Sequence, residues 1–203
     1  MLGLINKSIQ CFLTSSYGDA VWHRIAARID IGPDGFETML HYDDALTDRL
    51  IEAAGVVLDR PEDALLEDVG TFLASREALR RLLRFGGSNY WEFLHSLDEL
   101  PDRARMALPD LELPGLRLSE QGEGRFELRV TSQRSDWVAV LAGLLRAMAD
   151  DYGALALIEP DETARGGRLT ITLLDITFAE GRGFDLAAGQ HTFGAQLGGG
   201  HEF

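Results

Sequence analysis

The chain has 203 residues, enough for one well-buried core or for two small subdomains packed across a shared cleft. Its 19 Lys plus Arg stand against 33 Asp plus Glu, and the formal charge of −14 repels a phosphate backbone, so nucleic acid is not an expected partner. Cys11 is the single cysteine, which excludes an internal disulfide and every Cys-x-x-Cys device; its expected role is that of a buried structural thiol.

The opening Met1-Leu-Gly-Leu-Ile-Asn-Lys lacks a charged leader followed by a long apolar run, and no stretch approaches about 18 consecutive apolar residues. A cytoplasmic protein without a membrane segment is expected. Over the first hundred or so residues apolar side chains recur three and four apart, the period of amphipathic helices. Asp19 starts one that carries Trp22, Ile25, Ala26 and Ile29 and ends at Gly32-Pro-Asp-Gly35. Tyr42-Asp-Asp44 caps a second, with Leu46, Leu50, Ala54 and Val57, and Arg60-Pro-Glu-Asp63 starts a third through Leu65, Val69 and Phe72. From Ser88 a further helix runs through Trp91, Leu94 and Leu97 to Pro101, where a kink or break is expected because proline removes a backbone hydrogen bond and clashes with the preceding turn.

After Pro109 the period changes to two. Leu116-Arg-Leu118 and Phe126-Glu-Leu-Arg-Val130 flank Gln121-Gly-Glu-Gly124 and predict a β-hairpin. A helix from about Ser135 to Asp150 follows, and Ala154–Ile158 with Leu169–Leu173 make a second strand pair. Helices, then ββ, helix and ββ predict an α+β fold: a helical part over about 1–86 packed on an α+β part over about 87–176, with an antiparallel sheet of about four strands. Residues 177–203 are a glycine-rich C-terminal extension in which Phe193, Leu197 and Phe203 are the candidates for docking.

Chemistry is sparse. There is no Gly-x-x-x-x-Gly-Lys loop, no Gly-x-Gly-x-x-Gly, no Gly-x-Ser-x-Gly elbow and no His-Glu-x-x-His, so an enzyme is not expected. His23, His41, His95, His191 and His201 occur singly, and no metal-ligand set is assigned. Asp43-Asp44, Asp98-Glu99 and Asp150-Asp151 have the chemistry to bind a divalent cation, and solvated helix ends explain them at least as well.

The ordered pieces nevertheless resemble the heme nitric oxide/oxygen-binding (H-NOX) family over roughly residues 1–175. Met1-Leu-Gly-Leu-Ile-Asn and Tyr17-Gly-Asp-Ala-Val-Trp22 are similar to its opening elements, and Leu65-Leu-Glu-Asp-Val-Gly-Thr-Phe72 to its two-leucine helix with a following glycine. Phe93-Leu-His-Ser-Leu-Asp-Glu-Leu-Pro101 matches the proximal helix, Pro114 falls where the family packs a proline on the porphyrin, and Val130-Thr-Ser-Gln-Arg134 lies at the Tyr-x-Ser-x-Arg motif. The resemblance implies a heme b between two subdomains, diatomic gas on the open face of the iron, and a report to a signalling protein such as a histidine kinase or a cyclic-dinucleotide enzyme. It implies Ser132 and Arg134 as binders of the heme carboxylates and Pro114 as a porphyrin contact.

Two departures narrow this. The family's iron-ligating histidine is Pro101 here, which has no donor atom, and its tyrosine is Val130. His95 is near in sequence, but six residues of ideal helix rotate it by about 240° from the ligand position. Ala139 stands where oxygen-binding members carry a distal tyrosine, so a bound heme would favour nitric oxide or carbon monoxide. Two readings follow: a heme-dependent gas sensor-like regulator, or a heme-free module of the same fold that works by protein contact or takes another apolar or carboxylated ligand. An open apolar slot beside Arg134 would favour a ligand, and a filled cleft would favour the heme-free module.

Overall fold

The computed structural model describes residues 1–161 and 167–184. Eight α-helices and four strands are formed among the described residues, helices first and then ββ, helix, ββ as the periodicities predict. Helix α1 (Gly3–Tyr17) turns Ile9, Phe12 and Leu13 inward, and Gly18, at φ +85°, makes the corner into α2 (Asp19–Arg28). Asp43 caps α3 (Asp44–Leu58) by accepting a bond from the Ala45 backbone N–H at 3.0 Å, and α4 (Glu62–Ser75) follows Pro61. A short α5 (Glu77–Arg84) has no counterpart among the predicted helices, because Arg80 shares its buried face with Leu83 and interrupts the apolar stripe.

Cys11 is exposed, which corrects the expected buried thiol: Ile9, Phe12 and Leu13 already fill the inward positions of α1 and leave Cys11 on the outer side. The break near Pro101 lies earlier than expected. Helix α6 (Tyr90–His95) stops at Ser96, Leu97–Glu99 form a single 3₁₀ turn, and Pro101 enters in the first turn of α7 (Leu100–Ala107), where its missing N–H has no helical partner to lose.

Strands β1 (Gly115–Gly122) and β2 (Arg125–Thr131) form the expected hairpin, turning through Glu123 and Gly124, both at positive φ. With β3 (Leu155–Asp161) and β4 (Arg168–Asp175) they make one antiparallel sheet in the order β1-β2-β4-β3. Helix α8 (Trp137–Tyr152) covers the inner face.

Two apolar cores result. One joins α1 to α4 through Leu13, Trp22, Ile25, Leu50 and Leu65; the other joins α5 to α8 and the sheet through Leu97, Phe126, Leu128, Leu145 and Ile171. Helix α8 belongs to both, since Ala139 packs in the first and its neighbour Val138 in the second. Its crossing with α4 is a backbone contact: a Cβ on Gly143 would overlap the Glu67 carbonyl oxygen, and one on Gly70 the Val140 carbonyl. The two halves are therefore held at close range beside the segment 132–136.

Candidate functional site

The residues singled out by sequence lie on two sides of α8. On one side, the segment between β2 and α8 brings Ser132, Arg134 and Ala139 to a cavity of about 610 Å³ whose far wall is Pro61, Ala64 and Glu67 of the α4 start. Pro101, Pro114 and Val130 do not line it. All three are buried, and Val130, at 1 % exposure, belongs to the second core and donates its N–H to the Gly167 carbonyl at 3.1 Å.

Ser132 and Arg134 are already engaged. The Ser132 hydroxyl accepts the Arg134 backbone N–H at 3.0 Å, a local turn that fixes the segment. The Arg134 guanidinium donates to Asp136 from Nε at 3.1 Å and from one terminal nitrogen, and that nitrogen also meets Asp48 Oδ1 at 2.6 Å. Burial pulls the pKa of Arg134 down, but the bonds to Asp136 and Asp48 outweigh it and leave the group above the ordinary arginine value. Asp48 belongs to α3, so this one side chain ties the helical half to the sheet half. Sequence reasoning missed both carboxylates. Asp136 was visible two residues after Arg134, whereas Asp48 sits on the exposed side of α3 and nothing but the fold brings it near.

The other side has been closed with apolar side chains. Leu97 and Leu100, which bracket the 3₁₀ turn and Pro101, lie in the same continuous core as Val130, Leu141 and Leu144. Asp98 turns outward, accepting the Leu118 N–H at 2.6 Å and meeting Arg117 at 3.1 Å, and so staples the 3₁₀ turn to β1. His95 has its ring 4.0 Å from that of Trp91, edge-on to Phe126, and 3.9 Å from Glu120 on β1, at the rim of the sheet. The continuous helix that would have rotated it away does not exist, yet it still does not approach Arg134's cavity.

Among the described residues no three His, Cys, Asp or Glu side chains gather as a metal site. His191, His201, Phe193, Leu197 and Phe203 lie outside the described residues. Asp151 is not a solvated helix end as expected: it is buried, with Arg80 Nε at 2.7 Å and Arg84 at 3.6 Å. A heme held by histidine does not fit these residues: position 101 is a buried proline without a donor atom, and the Arg134 guanidinium beside the cavity is already paired twice within the chain.

Comparison with known proteins settles the lineage. The model of the Haem-NO-binding family matches residues 2–159. The chain belongs to that family. Among curated relatives it is 26% identical over 155 residues to soluble guanylate cyclase gcy-31 of Caenorhabditis elegans, covering 74% of this chain and 22% of that protein. It is 22% identical over 174 residues to soluble guanylate cyclase 89Da of Drosophila melanogaster, covering 82% of this chain and 26% of that protein. The chain thus spans about a quarter of the length of these relatives. The fold agrees with that of an unliganded Fe(II) H-NOX protein mutant from K. algicida at a TM-score of 0.75 and 18% identity, over 85% of this chain and 96% of that one. The S. oneidensis H-NOX protein in the Fe(II)NO state matches at 0.73 and 18%, over 86% and 100%. The α+β class and the four-stranded antiparallel sheet of this family are those of the chain.

Proposed function

We propose that this chain is a non-enzymatic regulatory module of the Haem-NO-binding family that has given up histidine-ligated heme b and works by contact with a signalling protein. The observation that carries this reading is the pairing of Arg134 with Asp48 and Asp136. A heme carboxylate arriving there would exchange one charged hydrogen bond for another, so the contribution of about 1.5–3 kcal/mol that such a bond makes is already present without it. With Pro101 at the ligand position there is no iron–nitrogen bond to offset that loss. A partner such as a histidine kinase or a cyclic-dinucleotide enzyme suits a module whose relatives are named as guanylate cyclases. A location in the cytoplasm suits such a partner, and no helix among the described residues is long and apolar enough to cross a membrane.

One observation favours a second reading. The cavity beside Ser132 and Arg134 has the volume of a cofactor-sized ligand. Heme b held there without histidine would meet Ala139, which offers no hydroxyl, so nitric oxide or carbon monoxide would be the expected gas.

Titration of the purified protein with hemin, followed by its absorption spectrum, separates the two. No Soret band above that of free hemin is expected, and none is expected after Pro101→His, because Arg134 stays paired and the core around Leu97 stays closed. A saturable Soret band in the unmodified chain sinks the heme-free reading.

A further inference from the structure

Burial of Leu116, Phe126, Leu128, Ile158, Leu169 and Ile171 sets the inner face of the sheet, so the alternate positions face outward. The pairing register then places Arg117 opposite Arg129, Arg129 opposite Arg168, and Arg168 opposite Asp161 at the β3 end. Three arginines thus stand side by side on three adjacent strands, over about 10 Å at the usual strand spacing. Like charges directly opposite one another weaken a sheet. In a chain of net charge −14, such a row concentrates positive charge locally.

For Arg117 and Arg129 the internal compensation is thin. Glu127 is shared between Arg168 at 3.3 Å and Arg129 at 3.5 Å, and Asp98 meets Arg117 at 3.1 Å while also holding the Leu118 N–H. Arg117 and Arg129 remain 79% and 63% exposed. On the same outward side, Leu157 and Leu174 are exposed apolar residues of β3 and β4. Leu157 pairs with Thr172, four residues along β4 from Arg168, about 13 Å away.

The sheet edges are blocked. Arg146 caps the Ile158 carbonyl of β3 at 2.7 Å, Pro160 has no N–H to give, and the Leu118 N–H of β1 is taken by Asp98. A partner would therefore meet the face and not extend the sheet as a further strand.

We propose that this outer face docks an acidic, partly apolar segment of a partner protein, its carboxylates on the Arg117–Arg129–Arg168 row and its apolar side chains on Leu157 and Leu174. A polypeptide interleaves carboxylates with apolar groups at this spacing. A nucleic acid presents its charges in a continuous row without apolar groups between them at this spacing, and a membrane surface is flat and carries its apolar groups below the charged headgroups. The proposal deepens the reading of the chain as a module acting by protein contact and rests on it. The hemin titration does not depend on these arginines, so either idea can fail without the other.

The probe is a fluorescein-labelled peptide with Glu and then Leu at alternate positions separated by Ser (Glu-Ser-Glu-Ser-Glu-Ser-Leu-Ser-Leu), so that an extended chain carries both on one face, read by fluorescence anisotropy with the full chain at low salt. Its Gln/Leu counterpart, a thymidine oligonucleotide and phosphatidylcholine–phosphatidylglycerol vesicles serve as competitors. The Glu/Leu peptide is expected to bind at least about ten-fold more tightly than the Gln/Leu peptide, and the triple variant Arg117→Gln, Arg129→Gln, Arg168→Gln to lose about ten-fold or more. The thermal midpoint of that variant is expected to hold or rise, since the like-charge row is gone. Equal affinity for the two peptides, undiminished binding by the triple variant, or stronger binding of the oligonucleotide or vesicles overturns the proposal. Should the triple variant melt early, Arg117→Gln alone decides: about a three-fold loss supports the row, and no loss overturns it.

Discussion

The Pro101 side and the Arg134 side of this fold are held together by different physics. Around Pro101 the closure is apolar: Leu97, Leu100 and Val130 are packed in a core that continues through α8. Around Arg134 it is ionic, a guanidinium paired with Asp136 beside it and with the more exposed Asp48 across the halves. Apolar closure is insensitive to salt and costs a cavity to undo, whereas an exposed ion pair is screened and exchanges readily. The packing around Pro101 is thus harder to undo than the pairing around Arg134.

That contrast can be broken by experiment. The buried pair elsewhere in the fold, Asp151 with Arg80 at 2.7 Å, sets the upper reference: Asp151→Ala should cost about 3–5 kcal/mol in urea unfolding, because it strands a buried guanidinium. Leu97→Ala should cost about 2–5 kcal/mol, and a loss below about 1 kcal/mol would mean that the core around the 3₁₀ turn is loosely packed. Arg134→Gln should cost about 1–2 kcal/mol in dilute buffer, measured against the unmodified chain. Asp48→Asn should cost less than about 1 kcal/mol, and most of that should vanish in molar salt. If Asp48→Asn rivals Leu97→Ala, the ionic closure is as firm as the apolar one and the contrast fails.

The smallest effect concerns pH. Burial pushes the Tyr152 hydroxyl up to about 12, while its bond to the Gly87 carbonyl at 2.9 Å holds the neutral form in place. The folded chain therefore keeps a proton that the unfolded chain releases near pH 10. Stability from this group is intact below about pH 10 and falls as the pH rises towards 12. Tyr152→Phe should flatten that part of an alkaline denaturation profile; an unchanged slope would remove Tyr152 as its source.

Legibility followed the length of the signal. The hairpin around Gly122–Gly124, α8 and the second strand pair were readable because their period-two and helical stripes are uninterrupted. Helix α5 was not, since Arg80 points inward and is satisfied by groups far along the chain, Asp151 and the Gly183 carbonyl among them. Ser132 and Arg134 were found through their motif, and they do share a cavity; Pro114 and Pro101, found the same way, are buried away from it.

By itself the sequence determined the family, the α+β class and the absence of a donor atom at position 101, because these depend on residue identity and local period. Only the tertiary structure decided what replaces the missing chemistry. Asp48 meets Arg134, Leu97 and Leu100 close on Val130's core, and three arginines from three strands align on one face. Each of these depends on partners far apart along the chain, brought together by the crossing of α4 with α8 and by the strand register, and no local pattern encodes such a meeting.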